Sequence, residues 1–345
     1  MISRQKGFSI RAVFLALLLL AMVALAGCAG SPTWFEPAST NATLITNLAI
    51  AVFIIAALVF VVVETMLVVS VVRFSRKKIE GEPQQIEGNT KFEIAWTAAP
   101  AIVLAVVFVL SLQTLQSVAY SPAPDPAGTP AGNAIHVRVV GHQWWWEFDY
   151  PELNIVTAGE LHVPVNTVVN FDLQSVDVIH SFWVPQLAGK TDVIPGHDNH
   201  TWFKADQLGA FHGQCAEFCG EEHALMQFQV VVQTPDQFKA WVAQQQAPMA
   251  AMTGDAAKGE QLFMNGACIG CHTVNGTKAQ GKVGPNLTHL ANRKYFAGDV
   301  FENNAANLKR WLSNPPAMKP GTVMPNLHLS PSDIDALVAY LTSLK

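Results

Sequence analysis

Cys215-Ala216-Glu217-Phe218-Cys219-Gly220-Glu221-Glu222-His223-Ala224-Leu225-Met226 packs two thiols, an imidazole and a thioether into one short segment. The segment lies between two β-rich runs, HTWFKA at 200–205 and MQFQVVV at 226–232. Soft sulfur ligands combined with imidazole favour copper, and a His/Cys/Met loop at the end of a β-sandwich is a known way to hold it. A single-copper site needs one cysteine, whereas two cysteines four apart could bridge two copper ions through both sulfurs. A second histidine must come from elsewhere, and His180 follows a strand-like run. Two other readings stand beside this one. A cysteine pair on an extracytoplasmic domain is commonly a disulfide. Zinc takes Cys₂His₂ sets, although its usual spacing is CxxC with histidines three to five apart. Met226 is hard to explain under either.

Working outward, the runs IHVRVV (135–140), WWWEF (144–148), ELHVPV (160–165), VVNFDL (168–173) and VIHSFWV (178–184) are separated by Pro, Gly, Asn and Asp. That rhythm predicts a β-sandwich or barrel over 133–233. The segment 121–132 is a Pro/Gly/Ala linker. A second connection, 234–254, has 21 residues; if flexible, its r.m.s. span is about 25 Å.

The 345 residues are 50% hydrophobic and only 14% charged, which points to membrane segments and away from disorder. No basic excess exists to attract nucleic acid. Leu44–Val72 and Ala95–Ala119 are each long enough to span, since a crossing needs about 20 residues. The loop between them carries Arg73, Arg76, Lys77, Lys78 and Lys91. A hairpin over 40–120 is therefore expected, with its loop in the cytoplasm and everything after Ala119 on the outer face. Neither span contains histidine, so neither can hold a bis-histidine haem. Glu64 interrupts the first span and is expected to face a partner helix. Ahead of the hairpin, Arg4, Lys6 and Arg11 precede an apolar core, Ala12 to Ala24, that ends in Leu25-Ala26-Gly27-Cys28. This reads as a lipoprotein-type signal peptide over 1–27 with Cys28 as the acylated residue; an uncleaved anchor is the other reading.

At the other end, Cys268-Ile269-Gly270-Cys271-His272 is CxxCH, the attachment pattern of c-type haem, in which two thiols form thioethers and the histidine ligates iron. Zinc and disulfide account for stray occurrences of the pattern. The surrounding module, 255–345, reads as helical. Ser330-Pro331-Ser332-Asp333 is a helix start, followed by Ile334, Leu337, Val338 and Leu341 on one face. The distal iron ligand should be a downstream methionine. Met318 and Met324 both qualify, and Met324, followed by Pro325 and preceding the last helix, is the expected ligand. The sandwich segment carries 3 Lys/Arg against 12 Asp/Glu, and the helical module 9 against 6. Opposite charges on tethered modules should assist their encounter.

Gly141-His142-Gln143-Trp144-Trp145-Trp146-Glu147-Phe148, Asp177-Val178-Ile179-His180-Ser181-Phe182, Lys190-Thr191-Asp192-Val193-Ile194-Pro195-Gly196, Gly213 to Gly220 and His223-x-x-Met226 together resemble subunit II of haem-copper cytochrome c oxidases over roughly 40–235. The C-terminal module resembles class I cytochromes c, with Gly284-Pro285-Asn286-Leu287 and the Gly259, Phe263 and Tyr340 crossing. The combination resembles subunit II of a caa-type oxidase. The resemblance implies a multidomain membrane protein: a two-helix hairpin, a cupredoxin-like β-sandwich and an all-α cytochrome c domain. It further implies that Cys215 and Cys219 bridge the two ions of copper A and that His180 and His223 bind one each. Met226 is then a weak ligand, and Glu217 ligates through its carbonyl. In the family that glutamate's side chain also reaches a magnesium ion shared with subunit I. Trp144 matches the position where electrons enter, and Glu93 the mouth of a proton channel in subunit I. Haem c would be held by Cys268, Cys271, His272 and Met324.

The expected function is an electron-transfer subunit without catalytic residues of its own. Electrons would pass from haem c to copper A and on to subunit I, where oxygen becomes water. Subunits I and III and an external donor are the expected partners. The five cysteines are then used as one lipid anchor, two copper ligands and two haem attachments. A nitrous oxide reductase would need a large His-rich domain for which there is no room. A copper-delivery lipoprotein would have no CxxCH. A quinol-oxidase subunit II would lack the copper ligands.

Overall fold

The computed structural model describes residues 15, 19, 33–74, 85, 87–122 and 134–345. Apart from residues 15 and 19, the expected signal segment with Cys28 lies outside the described residues, as do most of the linker 121–132 and the basic cluster at 76–78.

Two long helices, α1 (Thr40–Phe74) and α2 (Thr90–Ala119), reach mean hydropathies of 2.9 and 2.3. Both outrun the apolar segments expected from the sequence because polar turns extend them. Asn89 caps α2, its side chain accepting from the backbone of Lys91 and Phe92, which satisfies donors that a helix start leaves free. The outer ends of both helices are tied to one sheet. Asn41 donates to the carbonyl of Trp202 at 3.2 Å, and the Trp202 indole donates to the carbonyl of Val118 at 2.9 Å. The β-domain therefore stands at the outer mouth of the hairpin.

That domain is a sandwich of two five-stranded sheets. One contains β1 (Ala134–His142), β2 (Trp145–Tyr150), β3 (Ile155–Ala158), β5 (Val168–Ser175) and β8 (Asn199–Lys204), in the order β3-β2-β1-β5-β8. The other contains β4 (Glu160–Pro164), β6 (His180–Trp183), β7 (Thr191–Val193), β9 (Gly209–Cys215) and β10 (Gln227–Gln233), in the order β4-β10-β9-β6-β7. Alternation along the strands sends Trp146, Phe148, Phe171, Phe182, Phe203 and Phe228 into the space between the sheets. Phe182 and Phe228 stack with centroids 4.9 Å apart, and Trp146 meets Phe228 edge-on at 5.6 Å; such pairs contribute beyond their buried area.

The connection 234–254 does not meet, along its whole length, the condition of flexibility on which its expected span depended. Helix α3 (Pro235–Gln245) starts at a capping box made by Thr234 and Gln237. Its Trp241 stacks on His162 of β4 at 4.5 Å. Only 246–253 remain without helix before the next module. Stacking an indole against the sandwich outweighs the Gln- and Ala-rich composition that suggested a tether.

The last module is built on the crossing of α4 (Gly254–Asn265) and α7 (Pro331–Ser343), with α5 (Ala305–Ser313) and α6 (Pro315–Met318) between them. Ser330 caps α7 as expected, accepting from the Asp333 amide. Phe263 packs on Tyr340 at 5.5 Å. Only a glycine fits at 259, because a Cβ there would press on the Ala336 carbonyl and the Tyr340 side chain.

This helical module sits directly on the sandwich. The Gln227 amide donates to the Gly298 carbonyl at 3.0 Å, and the Gln229 side chain to Asp299 at 3.0 Å. The Lys294 amide donates to the Glu160 carboxylate at 2.5 Å. Lys319 pairs with Glu222 at 3.0 Å, with both side chains buried.

Burial pushes the Asp299 carboxyl up to about 7; the Gln229 bond and Lys294 oppose the shift, while Glu160 adds to it. A carboxyl raised in the folded state costs stability as pH climbs from its unfolded value near 4 to its folded value, and the cost is constant above that. Asp299→Asn should therefore match the parent near pH 4 and exceed it increasingly up to about pH 7, by roughly 4 kcal/mol at most. Unfolding midpoints of the two proteins across that range check this. A difference independent of pH would contradict it.

Candidate copper and haem centres

Strand pairing assembles the first site. β6 begins at His180, β9 ends at Cys215, and the register sets Phe182 opposite Cys215, so histidine and cysteine meet at one end of the sandwich. The chain then turns back, with the Cys215 amide donating to the Met226 carbonyl at 3.0 Å, and a 3₁₀ turn, His223–Leu225, supplies the second imidazole.

The two sulfurs lie 3.7 Å apart, unbridged. His180 Nδ1 is 3.8 Å from Cys215 Sγ, and His223 Nδ1 is 3.5 Å from Cys219 Sγ. Met226 Sδ is 3.8 Å from Cys219 Sγ, and the Glu217 carbonyl is 3.2 Å from Cys215 Sγ. All six residues expected from the sequence thus converge. His180 gives its Nε2 to Asp177 at 2.8 Å, which fixes the ring and leaves Nδ1 directed at the sulfurs, as metal-ligating histidines require. Cys215 Sγ and Cys219 Sγ share one hydrogen bond, which holds the Cys215 thiol well below its usual range and pushes the Cys219 thiol well above it. Burial works against the His180 cation, but its bonds to Cys215 and Asp177 outweigh that and raise its pKa. This is a cluster that stores negative charge on sulfur, as soft cations need. The residues fit a pair of copper ions. A disulfide is not formed, and a tetrahedral zinc would leave Met226, which is fully buried, without a purpose. The Glu217 carboxylate is exposed, and so is Phe218 beside it.

The tryptophan run divides its labour. Trp146 fills the sandwich core, and Trp145 stacks on His142 at 4.0 Å. Trp144 reaches the ligand loop: its indole donates to the Cys219 carbonyl at 3.0 Å, beside the Gln143 amide at 2.8 Å.

The second site is an apolar cavity of about 250 Å³ whose walls include Cys268, Cys271, His272, Met324, Phe263 and Leu337. His272 donates Nδ1 to the Pro285 carbonyl at 2.8 Å, leaving Nε2 for a metal, and burial pushes its pKa down toward the neutral, ligating form. The Trp311 indole holds Met324 Sδ at 3.1 Å. Met318, at the end of α6, is not on the cavity wall. Two thiols, an oriented imidazole and a thioether around one apolar space fit a covalently held haem. Trp144, Trp145 and Glu222 of the sandwich close the same cavity.

Elsewhere, Glu93 lies in the first turn of α2 and Glu64 on the exposed surface of α1. Sequence reading missed Glu222 and Lys319. Nothing local marks either one, because their pairing depends on how the modules dock.

Three family models match in chain order: cytochrome c oxidase subunit II transmembrane domain at 32–114, its periplasmic domain at 155–234, and cytochrome c at 256–345. Cytochrome c oxidase subunit 2 of Alkalihalophilus pseudofirmus is 39% identical over 93% of this chain and 94% of its own. This chain belongs to the cytochrome c oxidase subunit II family. The subunit 2 of Bacillus sp. strain PS3 is 41% identical over 79% of this chain and 80% of its own. The solved periplasmic domain of subunit II from Bradyrhizobium japonicum is 32% identical, covering 36% of this chain and 96% of its own at a TM-score of 0.32. This subunit II accordingly carries a copper A domain and a cytochrome c domain behind two membrane helices, and works with subunit I.

Cys215→Ser should abolish the near-infrared and EPR signature of paired copper while leaving the haem spectrum intact, since serine is a poor ligand for soft metals. An unchanged copper spectrum would contradict the assignment. Met324→His should retain covalent haem and lower its midpoint potential, whereas Met318→Leu should leave the potential and the sulfur-to-iron band in place. The reverse pattern would move the axial ligand to Met318.

Proposed function

We propose that Cys215, Cys219, His180, His223, Met226 and the Glu217 carbonyl hold the copper pair, and that Cys268, Cys271, His272 and Met324 hold the haem. Bound there, each group takes up and releases single electrons. The protein's task is to keep the two close and to connect them.

The observation that carries this reading is the wall shared by the two sites. Trp144 lies on the haem-side cavity and also donates to the carbonyl of Cys219, whose thiol would help to hold the copper pair. An indole in contact with both sides offers a short covalent and hydrogen-bonded path. The Asp177 bond to His180 and the Pro285 bond to His272 fix both imidazoles, so little reorganisation accompanies a change of charge. The haem-side cavity is lined mostly by apolar side chains, which favours a large apolar group there.

Beyond the wall, the exposed Glu217 carboxylate suits a magnesium ion held jointly with subunit I. Glu93, in the first turn of α2 at the cytoplasmic end of that helix, suits a proton-channel mouth in the same partner. Subunit III and an electron donor outside the chain complete the assembly, and Cys28 serves as the lipid anchor.

Trp144→Leu tests the path. Haem and copper spectra and potentials should stay near the parent values, while the haem-to-copper rate after flash reduction falls several-fold. A parental rate with both spectra intact would remove Trp144 from the route.

A further inference from the structure

The cytochrome module meets the copper loop through a built interface rather than a loose encounter. Lys319 lies in the loop that runs on to Met324, and Glu222 immediately precedes His223. Their side chains are 3% and 2% exposed and 3.0 Å apart. An isolated charge at either position would be buried without compensation, so each requires the other. Around the pair, the backbone bond from Gln227 to Gly298 and the side-chain bond from Gln229 to Asp299 close the seam. Gly298 adopts φ +77° there, and a Cβ would press on the Leu225 carbonyl, so the approach of the two backbones depends on a glycine. Lys294 sits against Glu160, its amide bonded to that carboxylate, and Lys282 lies near Glu147. The three lysines belong to the cytochrome side and Glu222, Glu160 and Glu147 to the copper side, while the Asp299 carboxyl of the cytochrome side is met by the Gln229 amide.

We propose that Lys319 and Glu222 form a latch that holds the cytochrome module as a fixed cap over Trp144, instead of leaving it a tethered carrier that docks and departs. The proposal rests on the copper and haem assignment only for its consequence; the latch itself is a property of the polypeptide. A surface pair would weaken within a Debye length of about 8 Å at physiological salt. A pair removed from water is screened far less, so docking should persist at high salt. The short remaining connection, 246–253, acts in the same direction by limiting excursion. With the cap in place Trp144 is enclosed, and outside donors reduce the haem alone.

Hydrogen exchange on the purified, metal-loaded oxidase complex tests this, because two amides report the seam directly: Gln227, bonded to Gly298, and Lys294, bonded to Glu160. In the parent protein both should be slow to exchange, with little change between low and molar salt. Lys319→Met should speed both by roughly a hundredfold, the scale expected when one member of a buried pair is lost, while amides of the β1–β2 ladder stay as they are. Lys319→Arg should recover most of the protection. Gln229→Ala, made from the copper side at a residue outside the copper and haem ligand sets, should speed the same two amides to a smaller degree. Parental protection in Lys319→Met, or seam amides in the parent that exchange fast and faster still with salt, would overturn the latch. The near-infrared copper band and the haem band, recorded on the same samples, report the metal assignment separately, so a missing band would count against that assignment and not against the latch.

Discussion

Two hydrogen bonds converge on the carbonyl of Cys219, from Gln143 and from Trp144, and much of the molecule is arranged around them. They fasten the ligand loop of one sheet to the β1–β2 turn of the other, so the donor cluster cannot shift without moving the sandwich. The same turn places Trp146 in the core and Trp145 against the cavity of the next module. A chain of contacts thus runs from the packed interior through the sulfurs to the haem-side space. A loop carrying two reactive thiols would otherwise be free to close into a disulfide. Pinning Cys219 by its own carbonyl, with Cys215 fixed by the β6–β9 pairing, keeps the sulfurs 3.7 Å apart and unbridged.

The interface between the modules turns a compositional asymmetry into structure. Excess acid on the sandwich and excess base on the helical module would by themselves give only a long-range, salt-sensitive attraction. Burial of Lys319 against Glu222, backed by backbone contacts, changes its character to a short-range, directional one. The cost is a set of shifted groups at the seam: burial pushes Glu222 up and Lys319 down, and Asp299 up to about 7. At the other face, Trp202 and Asn41 tie the sandwich to the outer ends of the membrane helices. The copper cluster is therefore held at a defined place between the membrane hairpin and the cytochrome module.

Most of this was legible in the sequence where the signal is local. The apolar spans, the alternating strands, the Ser330 cap and the CxxCH run are decided by neighbours within a few residues. The ligand set was also readable, because its residues cluster in one loop plus His180. Strand β9 was not, since Gly209 and Gly213 erase the alternation that marks a strand, although this strand delivers Cys215. Helix α3 was hidden by its glutamines and alanines, and its stability comes from Trp241 stacking on a histidine about eighty positions away. Glu222 and Lys319 were invisible for the same reason: their meaning arises only when separate modules touch.

The central claim is that one chain holds its haem and copper sites at a single fixed separation across Trp144. Dipolar EPR on the frozen, fully oxidised complex measures this directly, since both centres are then paramagnetic. The account predicts one narrow iron-to-copper distance, the same at low and molar salt. A broad distribution that widens as salt is raised would show the cytochrome module to be a mobile carrier and would contradict the account.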